Sequence, residues 1–327
     1  MAQHVPVLVE AVVEAFAGVR PGATVVDGTC GFGGHSAALL ERYEALAIVG
    51  LDRDPEAVAH ATQRLAGYGG RAVVRHGRFG EWLEQLRALG VDYAGGLLLD
   101  VGVSSYQLDE PERGFSFREA GPVDMRMDPG GGPSALEYLQ GAPEDDLARV
   151  IWRYGEERHS RKIARLIKRA LEEDRLSTTE DLAEICRRAY PRSAKASAGR
   201  PHGKHRIDPA TRTFQALRIH INDELGELER ALASVPDGME ERAVVAVISF
   251  HSLEDRIVKH AMREWQQKSL GRILKPAPIT ADESEREANP RARSAKLRVF
   301  HWGEAPGKPE GPDRYRSKKH RRKAEKQ

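Results

Sequence analysis

Along the first hundred residues, short apolar runs alternate with segments whose apolar residues recur at helical spacing. Apolar runs of this length are typical of buried parallel strands, and amphipathic segments between them are typical of crossover helices. Because such crossovers are right-handed, the pattern predicts an α/β fold with a doubly wound parallel sheet. The predicted strands are residues 24–27, 46–52, 72–76 and 96–100, and the predicted helices are residues 7–17, 35–43, 54–65 and 82–89.

This alternation breaks after residue 105. A loop-like stretch is followed by a long helical region, a basic stretch, a helix at 214–232 and a fifth apolar run at 243–249 that resembles the earlier strands. The simplest interpretation is one α/β domain interrupted by an all-helical insertion. We assign residues 1–107 and 208–302 to the α/β domain, 108–207 to a helical insertion for substrate recognition, and 303–327 to a basic C-terminal tail.

The formal net charge of +2 conceals two basic clusters. Residues 314–327 hold eight Lys or Arg and one Glu, so the remainder of the chain is acidic overall. Residues 192–218 hold seven Lys or Arg against Asp208 alone. Neutralising nucleic-acid phosphates is the usual use of such segments, although a basic tail by itself also serves solubility. The charge pattern favours a polyanionic partner and does not say which nucleic acid.

Composition excludes several classes of protein. No apolar run approaches the length of a membrane span, and the first residues lack the features of a secretory signal. Two cysteines, Cys30 and Cys186, form neither a disulfide framework nor a CxxC metal site. We therefore expect a reduced cytoplasmic protein without a bound metal or a membrane partner, and leave a homodimer open.

A glycine-rich turn follows the first predicted strand, where a ligand approaches the backbone closely. It contains Gly31 and Gly33 but Ser36 at the last position of a dinucleotide fingerprint. At the tip of the second strand, Asp52 is placed to accept hydrogen bonds from ribose hydroxyls. Acids near the turn, such as Asp27 and Asp100, would repel a pyrophosphate and suit a cationic ligand. These features predict S-adenosylmethionine as the cofactor.

The chain resembles the RsmH family, also called MraW, of 16S rRNA cytosine-N4 methyltransferases. The resemblance begins at residues 4–8 (HVPVL), extends to about residue 300 and rests on blocks that stand in the same order. These blocks are 27–36 (DGTCGFGGHS), 100–109 (DVGVSSYQLD), 112–117 (ERGFSF), 124–128 (DMRMD), 154–158 (YGEER), 209–218 (PATRTFQALR) and 249–256 (SFHSLEDR).

This resemblance implies a class I methyltransferase fold with an inserted helical domain, and a target in the small ribosomal subunit, cytosine 1402 of 16S rRNA. Many members have asparagine where Arg78 stands and proline where Tyr106 stands, and neither difference removes an implied cofactor contact. Tyr106 in place of proline puts the stiffness of the loop after the fourth strand in doubt. The cofactor contacts implied for this chain are Gly33, Gly34, His35, Asp52, Phe79, Asp100 and Gln107. Taken alone, a phenylalanine at position 79 is more often simply a core residue.

The chemistry of such a reaction needs acceptors for the protons of the cytosine amine, whose lone pair is delocalised into the ring. Asp100 is one catalytic candidate, although it could instead contact the cofactor. His251 is the other, with Phe250 beside it to stack the base. A structural alternative is that Ser252 caps the following helix with Asp255 at its third position. A carbon-5 transfer is disfavoured, because no Pro-Cys pair supplies a thiolate.

The sequence also allows other interpretations of residues 112–128 and of the function. The segment from 112 to 128 is a candidate lid, but its arginines, Arg113 and Arg126, would serve equally as internal ion-pair partners. The alternatives to rRNA methylation are a DNA or other RNA amino-methyltransferase and, as a separate class, a non-catalytic RNA-binding module. The intact glycine turn together with Asp52 argues against the last of these.

Overall fold

The computed structural model of the chain describes residues 6–190 and 208–303. Its strands are β1 (Thr24–Asp27), β2 (Ala47–Asp52), β3 (Ala72–His76), β4 (Ala94–Asp100), β5 (Met239–Ser249), β6 (Gly271–Ile273) and β7 (Lys296–Trp302). Its helices are α1 (Val9–Ala15), α2 (Gly34–Arg42), α3 (Pro55–Leu65), α4 (Trp82–Arg87), α5 (Ser105–Asp109), α6 (Ala135–Gly141), α7 (Glu144–Gly155), α8 (Ser160–Glu172), α9 (Thr179–Arg188), α10 (Pro209–Asn222), α11 (Glu224–Ala233), α12 (Val235–Gly238), α13 (Ser252–Gln267) and α14 (Glu283–Ala288). None of the helices in the described ranges has the length and apolar character that a membrane crossing requires.

The strands form one sheet in the order β3-β2-β1-β4-β5-β7-β6. Strands β1 to β5 pair in parallel, whereas β7 runs antiparallel to both β5 and β6. The predicted α/β class and its five parallel strands are confirmed. The antiparallel pair β6–β7, which the apolar pattern did not predict, extends the sheet beyond β5.

Apolar side chains cover both faces of this sheet, as the continuous apolar runs require. Successive residues of a strand point to opposite faces, so Val25 and Val26 belong to two different buried clusters. On one face the strands pack against α2 through residues such as Leu39. On the other face they pack against Trp82 of α4 and Trp265 of α13. The result is a sheet between two helical layers.

The chain divides into two compact units. The first combines the described residues up to Gly102 with those from Gly226 onwards and contains the sheet; the second is Val103–Leu225 and contains helices α5 to α10. From the sequence we assign residues 208–225, and with them α10, to the α/β domain, whereas the structure places them in the second unit. The reason lies in the core of the second unit, where Phe214 and Leu217 of α10 share a buried cluster with Ile151 and Leu182.

The single helix predicted at 214–232 is interrupted. Helix α10 ends at Asn222, Asp223 adopts a left-handed conformation (φ 49°), and α11 starts at Glu224. The Asn222 side chain accepts a hydrogen bond from the amide of Met127 (2.8 Å) and donates one to the carbonyl of Met125 (2.7 Å). These hydrogen bonds to residues 125 and 127 fix the end of α10. Helical periodicity in the sequence does not predict such a role.

Candidate active site at the strand tips

Three carboxylates stand at the carboxyl ends of three adjacent parallel strands. Asp52 ends β2, Asp27 ends β1 and Asp100 ends β4, and β1 lies between the other two strands. In open α/β sheets this edge is where ligands bind. The structure thus brings together the acids that the sequence placed at separate strand ends.

The glycine-rich turn joins β1 to α2 beside these acids. Gly33 caps α2 in the left-handed region (φ 75°, ψ 20°), which a residue with a side chain rarely adopts. Gly34 opens the helix, and a Cβ atom there would lie 2.2 Å from Cγ of Pro6. Glycine is therefore required at both positions by the local backbone and by the N-terminal segment packed on it.

Asp52 holds the turn through both of its carboxylate oxygens. Oδ2 accepts a hydrogen bond from the amide of Gly31 (2.8 Å), and Oδ1 accepts one from the amide of Asp54 (2.9 Å). A carboxylate oxygen has two lone-pair sites, so each oxygen keeps capacity for one further donor such as a ribose hydroxyl. Burial raises the pKa of Asp52 to about 6.

Asp27 is closed off inside the turn. Only 1% of its surface is exposed, and it accepts hydrogen bonds from the Ser36 hydroxyl (2.6 Å) and the Thr29 amide (3.3 Å). Burial raises its pKa to about 6, and the bond from Ser36 opposes that rise. The serine that breaks the dinucleotide fingerprint therefore has a structural partner, and Asp27 shapes the turn from within.

Asp100 and His35 face each other across the end of β4. Oδ2 of Asp100 lies 3.9 Å from Nδ1 of His35, whose Nε2 is 2.9 Å from the carbonyl oxygen of Val7. Since a carbonyl only accepts, Nε2 carries the proton in this contact. Burial raises the pKa of Asp100 to about 7, with Arg291 opposing it, and burial lowers the pKa of His35. A neutral imidazole therefore presents its Nδ1 lone pair to a carboxyl that is part protonated near neutral pH.

The other carboxyl oxygen of Asp100 is uncommitted. Within the part of the chain that the structure describes, Oδ1 is buried and has no hydrogen-bond partner. A buried acceptor without a partner costs free energy, so such an atom at a strand tip marks a position for an incoming donor.

Phe79 borders the glycine turn. It follows β3 in a short 3₁₀ turn (Phe79–Glu81), and a Cβ atom at Gly28 would lie 3.0 Å from its Cβ. The ring is half-buried and packs on the α4 face of the sheet. Sequence reasoning missed Glu227 of α11, which accepts a hydrogen bond from the amide of Gly80 (3.0 Å) within this turn. No local sequence signal connects a residue of α11 with a turn so distant in the chain.

Gln107 belongs to the second unit. It is the third residue of α5, where its Oε1 accepts from the Ser104 amide (3.0 Å) and its amide donates to the Ser104 hydroxyl (3.1 Å). This reciprocal capping box fixes the buried side chain at the start of α5. The six other predicted cofactor residues lie in the first unit.

His251 is the N-cap of α13. Its Nδ1 accepts from the Glu254 amide (3.4 Å), and Oε2 of Glu254 accepts from the amides of His251 (3.1 Å) and Phe250 (2.8 Å). The alternative cap, Ser252 with Asp255, is wrong by one residue. Asp255 instead accepts a hydrogen bond from Arg298 (2.8 Å). The predicted proton acceptor His251 thus has a structural role that its sequence position did not reveal.

The arginines of the candidate lid have internal partners in the second unit. Arg126 forms an ion pair with Asp124 (2.7 Å), and Arg113 donates to the carbonyl of Met127 (2.8 Å). The interpretation as an internal ion-pair partner is confirmed for Arg126, whereas Arg113 donates to backbone carbonyl groups. The basic tail and most of the basic stretch at 192–218 lie outside the described residues.

The family model and the most similar relatives point to the same protein family. Residues 1–302 match the profile of the MraW methylase family. The chain is 50% identical over 297 residues to ribosomal RNA small subunit methyltransferase H of Sorangium cellulosum, covering 91% of this chain and 90% of that protein. It is 46% identical over 314 residues to the protein of the same name from Nitratidesulfovibrio vulgaris strain DP4, covering 91% and 95%.

The solved structures that match this chain are more distant in sequence, and their TM-scores are low. An rRNA methylase from Streptococcus thermophilus has a TM-score of 0.42 at 8% identity, with 93% of this chain and 99% of that chain covered. Aeropyrum pernix fibrillarin with natively bound S-adenosyl-L-methionine has a TM-score of 0.36 at 8% identity, with 88% and 76% covered.

Proposed function

Because the chain belongs to the MraW methylase family and is a methyltransferase, we propose that it methylates the exocyclic N4 of a cytosine in 16S rRNA of the small ribosomal subunit. The observation that carries the chemical part of this proposal is the uncommitted carboxyl oxygen of Asp100 at the tip of β4. The rRNA substrate rests on the names of the relatives, and the family resemblance supplies the N4 atom and cytosine 1402.

We assign S-adenosylmethionine to the turn between β1 and α2. The acids around this turn suit a ligand that carries a sulfonium charge, and the free acceptor capacity of Asp52 suits a ribose. When bound there, this cofactor supplies the electrophilic methyl group. The residues proposed to contact it are Gly33, Gly34, His35, Asp52, Phe79, Asp100 and Gln107.

Asp100 is the proposed proton acceptor. An N–H of the cytosine amine donates to its carboxylate, which localises the nitrogen lone pair for attack on the methyl carbon. Asp100 would take the proton that N4 loses on methylation. Its pKa of about 7 is well matched to taking a proton near neutral pH.

His251 remains the second candidate for the proton. Its Nδ1 caps α13, while its Nε2, like Oδ1 of Asp100, is buried without a hydrogen-bond partner among the described residues and lies 2.9 Å from Oε1 of Glu254. We favour Asp100 because it ends β4 next to β1, from which the glycine-rich turn starts. Phe250, between the tip of β5 and α13, is half-buried and remains the proposed stacking residue for the base.

The cysteines argue against methylation at carbon 5 of the ring, which proceeds through a cysteine thiolate. Cys30 and Cys186 are both buried and free. Burial raises the pKa of Cys30 well above its usual value and that of Cys186 to about 12. Neither thiol supplies a thiolate at neutral pH, which leaves the exocyclic amine as the favoured acceptor on cytosine.

The second unit is proposed to hold the RNA strand around the target. Exposed Arg161 and Arg165 of α8 add positive charge to that of the stretch at 192–218. A base inside folded RNA must be swung out of its stack to reach a methyl donor, and contacts to the flanking phosphates offset that cost.

Labelled-methyl transfer tests the proposal. Purified protein with methyl-labelled S-adenosylmethionine is offered small ribosomal subunits, naked 16S rRNA or duplex DNA, and the labelled nucleosides are separated after digestion. We expect N4-methylcytidine from the ribosomal substrates. Label in DNA alone, or in 5-methylcytidine, would reject the proposal, and binding without transfer to any substrate would favour a non-catalytic RNA-binding module.

A further inference from the structure

Glu227 of α11 is a buried carboxylate outside the strand-tip cluster. Its side chain is 2% exposed. Oε2 accepts a hydrogen bond from the amide of Gly80 (3.0 Å), while Oε1 accepts from Arg78 (3.2 Å) and from Arg230 (2.7 Å). Three donors thus converge on one carboxylate, and two of them come from the turn after β3.

These two donors are the chain neighbours of Phe79. Arg78 precedes the aromatic residue and Gly80 follows it, so one carboxylate holds the guanidinium of the residue before Phe79 and the backbone amide of the residue after it. A Cβ atom at Gly80 would lie 2.4 Å from Oε2 of Glu227. Position 80 therefore has no room for a side chain while Glu227 accepts this hydrogen bond.

Stability alone does not explain a carboxylate at this place. Removing a charge from water costs several kcal/mol, and a buried ion pair often contributes no more than well-packed apolar residues would. Helix α11 already has apolar anchors in Leu228, Ala231 and Leu232, which are buried on the same face of the sheet. What the charge adds is a defined geometry, because directional hydrogen bonds to Gly80 and Arg78 position the turn more narrowly than apolar contacts do.

We propose that Glu227 is a positioning residue for cofactor binding, which acts by holding the ring of Phe79 against the adenine. The inference rests on the proposed function, in which Phe79 contacts the cofactor; an aromatic ring at that place is suited to packing on the flat face of the adenine. Glu227 itself touches no reacting group. It acts through the turn Phe79–Glu81, and its loss lets the ring move away from the glycine turn that it borders.

A double-mutant cycle on ligand binding tests this inference. Dissociation constants for S-adenosylhomocysteine are measured by calorimetry for the unsubstituted chain, Glu227→Gln, Phe79→Ala and the double variant. We expect Glu227→Gln to weaken binding about tenfold when Phe79 is present and less than about twofold when it is absent. The same substitution is expected to raise KM for S-adenosylmethionine more than it lowers kcat.

Two further variants keep the test decisive. Glu229→Gln makes the same chemical change at an exposed position of the same helix and is expected to leave binding unchanged. If Glu227→Gln unfolds, Glu227→Asp keeps the charge on a shorter side chain, and the cycle is run with it; we then expect a smaller loss that again disappears with Phe79→Ala.

The outcomes separate the two proposals. If the unsubstituted chain binds neither S-adenosylhomocysteine nor S-adenosylmethionine, the proposed function fails and this inference fails with it. If that chain binds the ligand but the effects of the Glu227 and Phe79 substitutions simply add, or Glu227→Gln binds normally, only the role of Glu227 is overturned. The measurement needs no RNA, so the identity of the methyl acceptor does not affect it.

Discussion

Oδ2 of Asp100 lies 3.9 Å from Nδ1 of His35, so a carboxyl at the end of β4 faces an imidazole at the start of α2. The ring is oriented by the carbonyl of Val7, which takes the proton of Nε2. At 3.9 Å the two groups are too far apart to share a hydrogen bond, so the imidazole is a neutral, buried neighbour of Asp100 and not a second holder of the proton that the proposed reaction releases.

The ionisation of the strand-tip acids predicts a pH dependence of cofactor affinity. Burial raises the pKa of Asp100 to about 7 and those of Asp27 and Asp52 to about 6. The ionised carboxylates attract a sulfonium, so the affinity for S-adenosylmethionine should rise as pH increases through this range and fall as the acids are protonated below it. We expect a gain of about tenfold between pH 5.5 and 7.5, measured by calorimetry.

S-adenosylhomocysteine is the matched control for that measurement. It shares the adenosine, amino and carboxyl groups of the cofactor but has a neutral thioether in place of the sulfonium. Both ligands share the proposed ribose contact to Asp52, so the affinity of S-adenosylhomocysteine should also fall at low pH, but by less than that of S-adenosylmethionine. An equal pH dependence for both ligands would show that the acids do not face the sulfur.

Loss of the Asp52 carboxylate should weaken cofactor binding. Asp52→Ala removes the proposed acceptors of the ribose hydroxyls and also releases the amide of Gly31. We expect a loss of at least ~1.5 kcal/mol in binding free energy, measured by calorimetry. Asp92→Ala, at an exposed acid, is the control and should bind normally. An unchanged dissociation constant for Asp52→Ala at unchanged melting temperature would remove Asp52 from the site.

The substitution His251→Asn tests whether His251 only caps α13 or also takes part in catalysis. Asn is among the best N-cap residues, so His251→Asn should preserve α13 and the melting temperature. If Asp100 takes the proton, we expect this variant to lower kcat less than about threefold and Asp100→Asn to lower it by about a hundredfold. The reverse ranking, with both variants folded, would assign the proton to His251.

The basic tail predicts a change in the salt dependence of RNA binding. Residues 314–327 lie outside the described residues, and their composition alone motivates this test. Deleting them should reduce the slope of log affinity against log salt, because fewer counterions are released from the RNA. Fluorescence anisotropy with a small-subunit RNA fragment measures the slope. An unchanged slope after the deletion would mean that the tail serves solubility and not RNA binding.

Much of the fold was accessible from sequence because parallel strands are buried on both faces. Such strands appear in the sequence as continuous apolar runs. An aspartate at position 27, 52 or 100 marks the end of three of these runs. Strand β7 escaped prediction because it mixes Lys296, Arg298 and His301 with apolar residues, and β6 has only three residues. A strand of that length has no period to detect.

The parts of the site that escaped prediction depend on contacts between distant segments. The bond between Gly80 and Glu227 spans 147 positions, and that between His35 and Val7 depends on how the N-terminal segment lies on the glycine turn. The break at Asp223 and the cap at His251 are set by single backbone conformations rather than by periodicity. Neither composition nor residue spacing predicts such contacts.

The parallel pairing of β4 with β5, which places Leu97 opposite Val245, has a consequence for biosynthesis. A ribosome delivers β4 first, then every residue of the second unit, and only afterwards the strand that completes the centre of the sheet. The helical unit can fold as it emerges, whereas the edge of β4 that pairs with β5 waits unpaired in the nascent chain. The centre of the sheet is therefore completed late in synthesis, and translation products that end before β5 should be targets for chaperones.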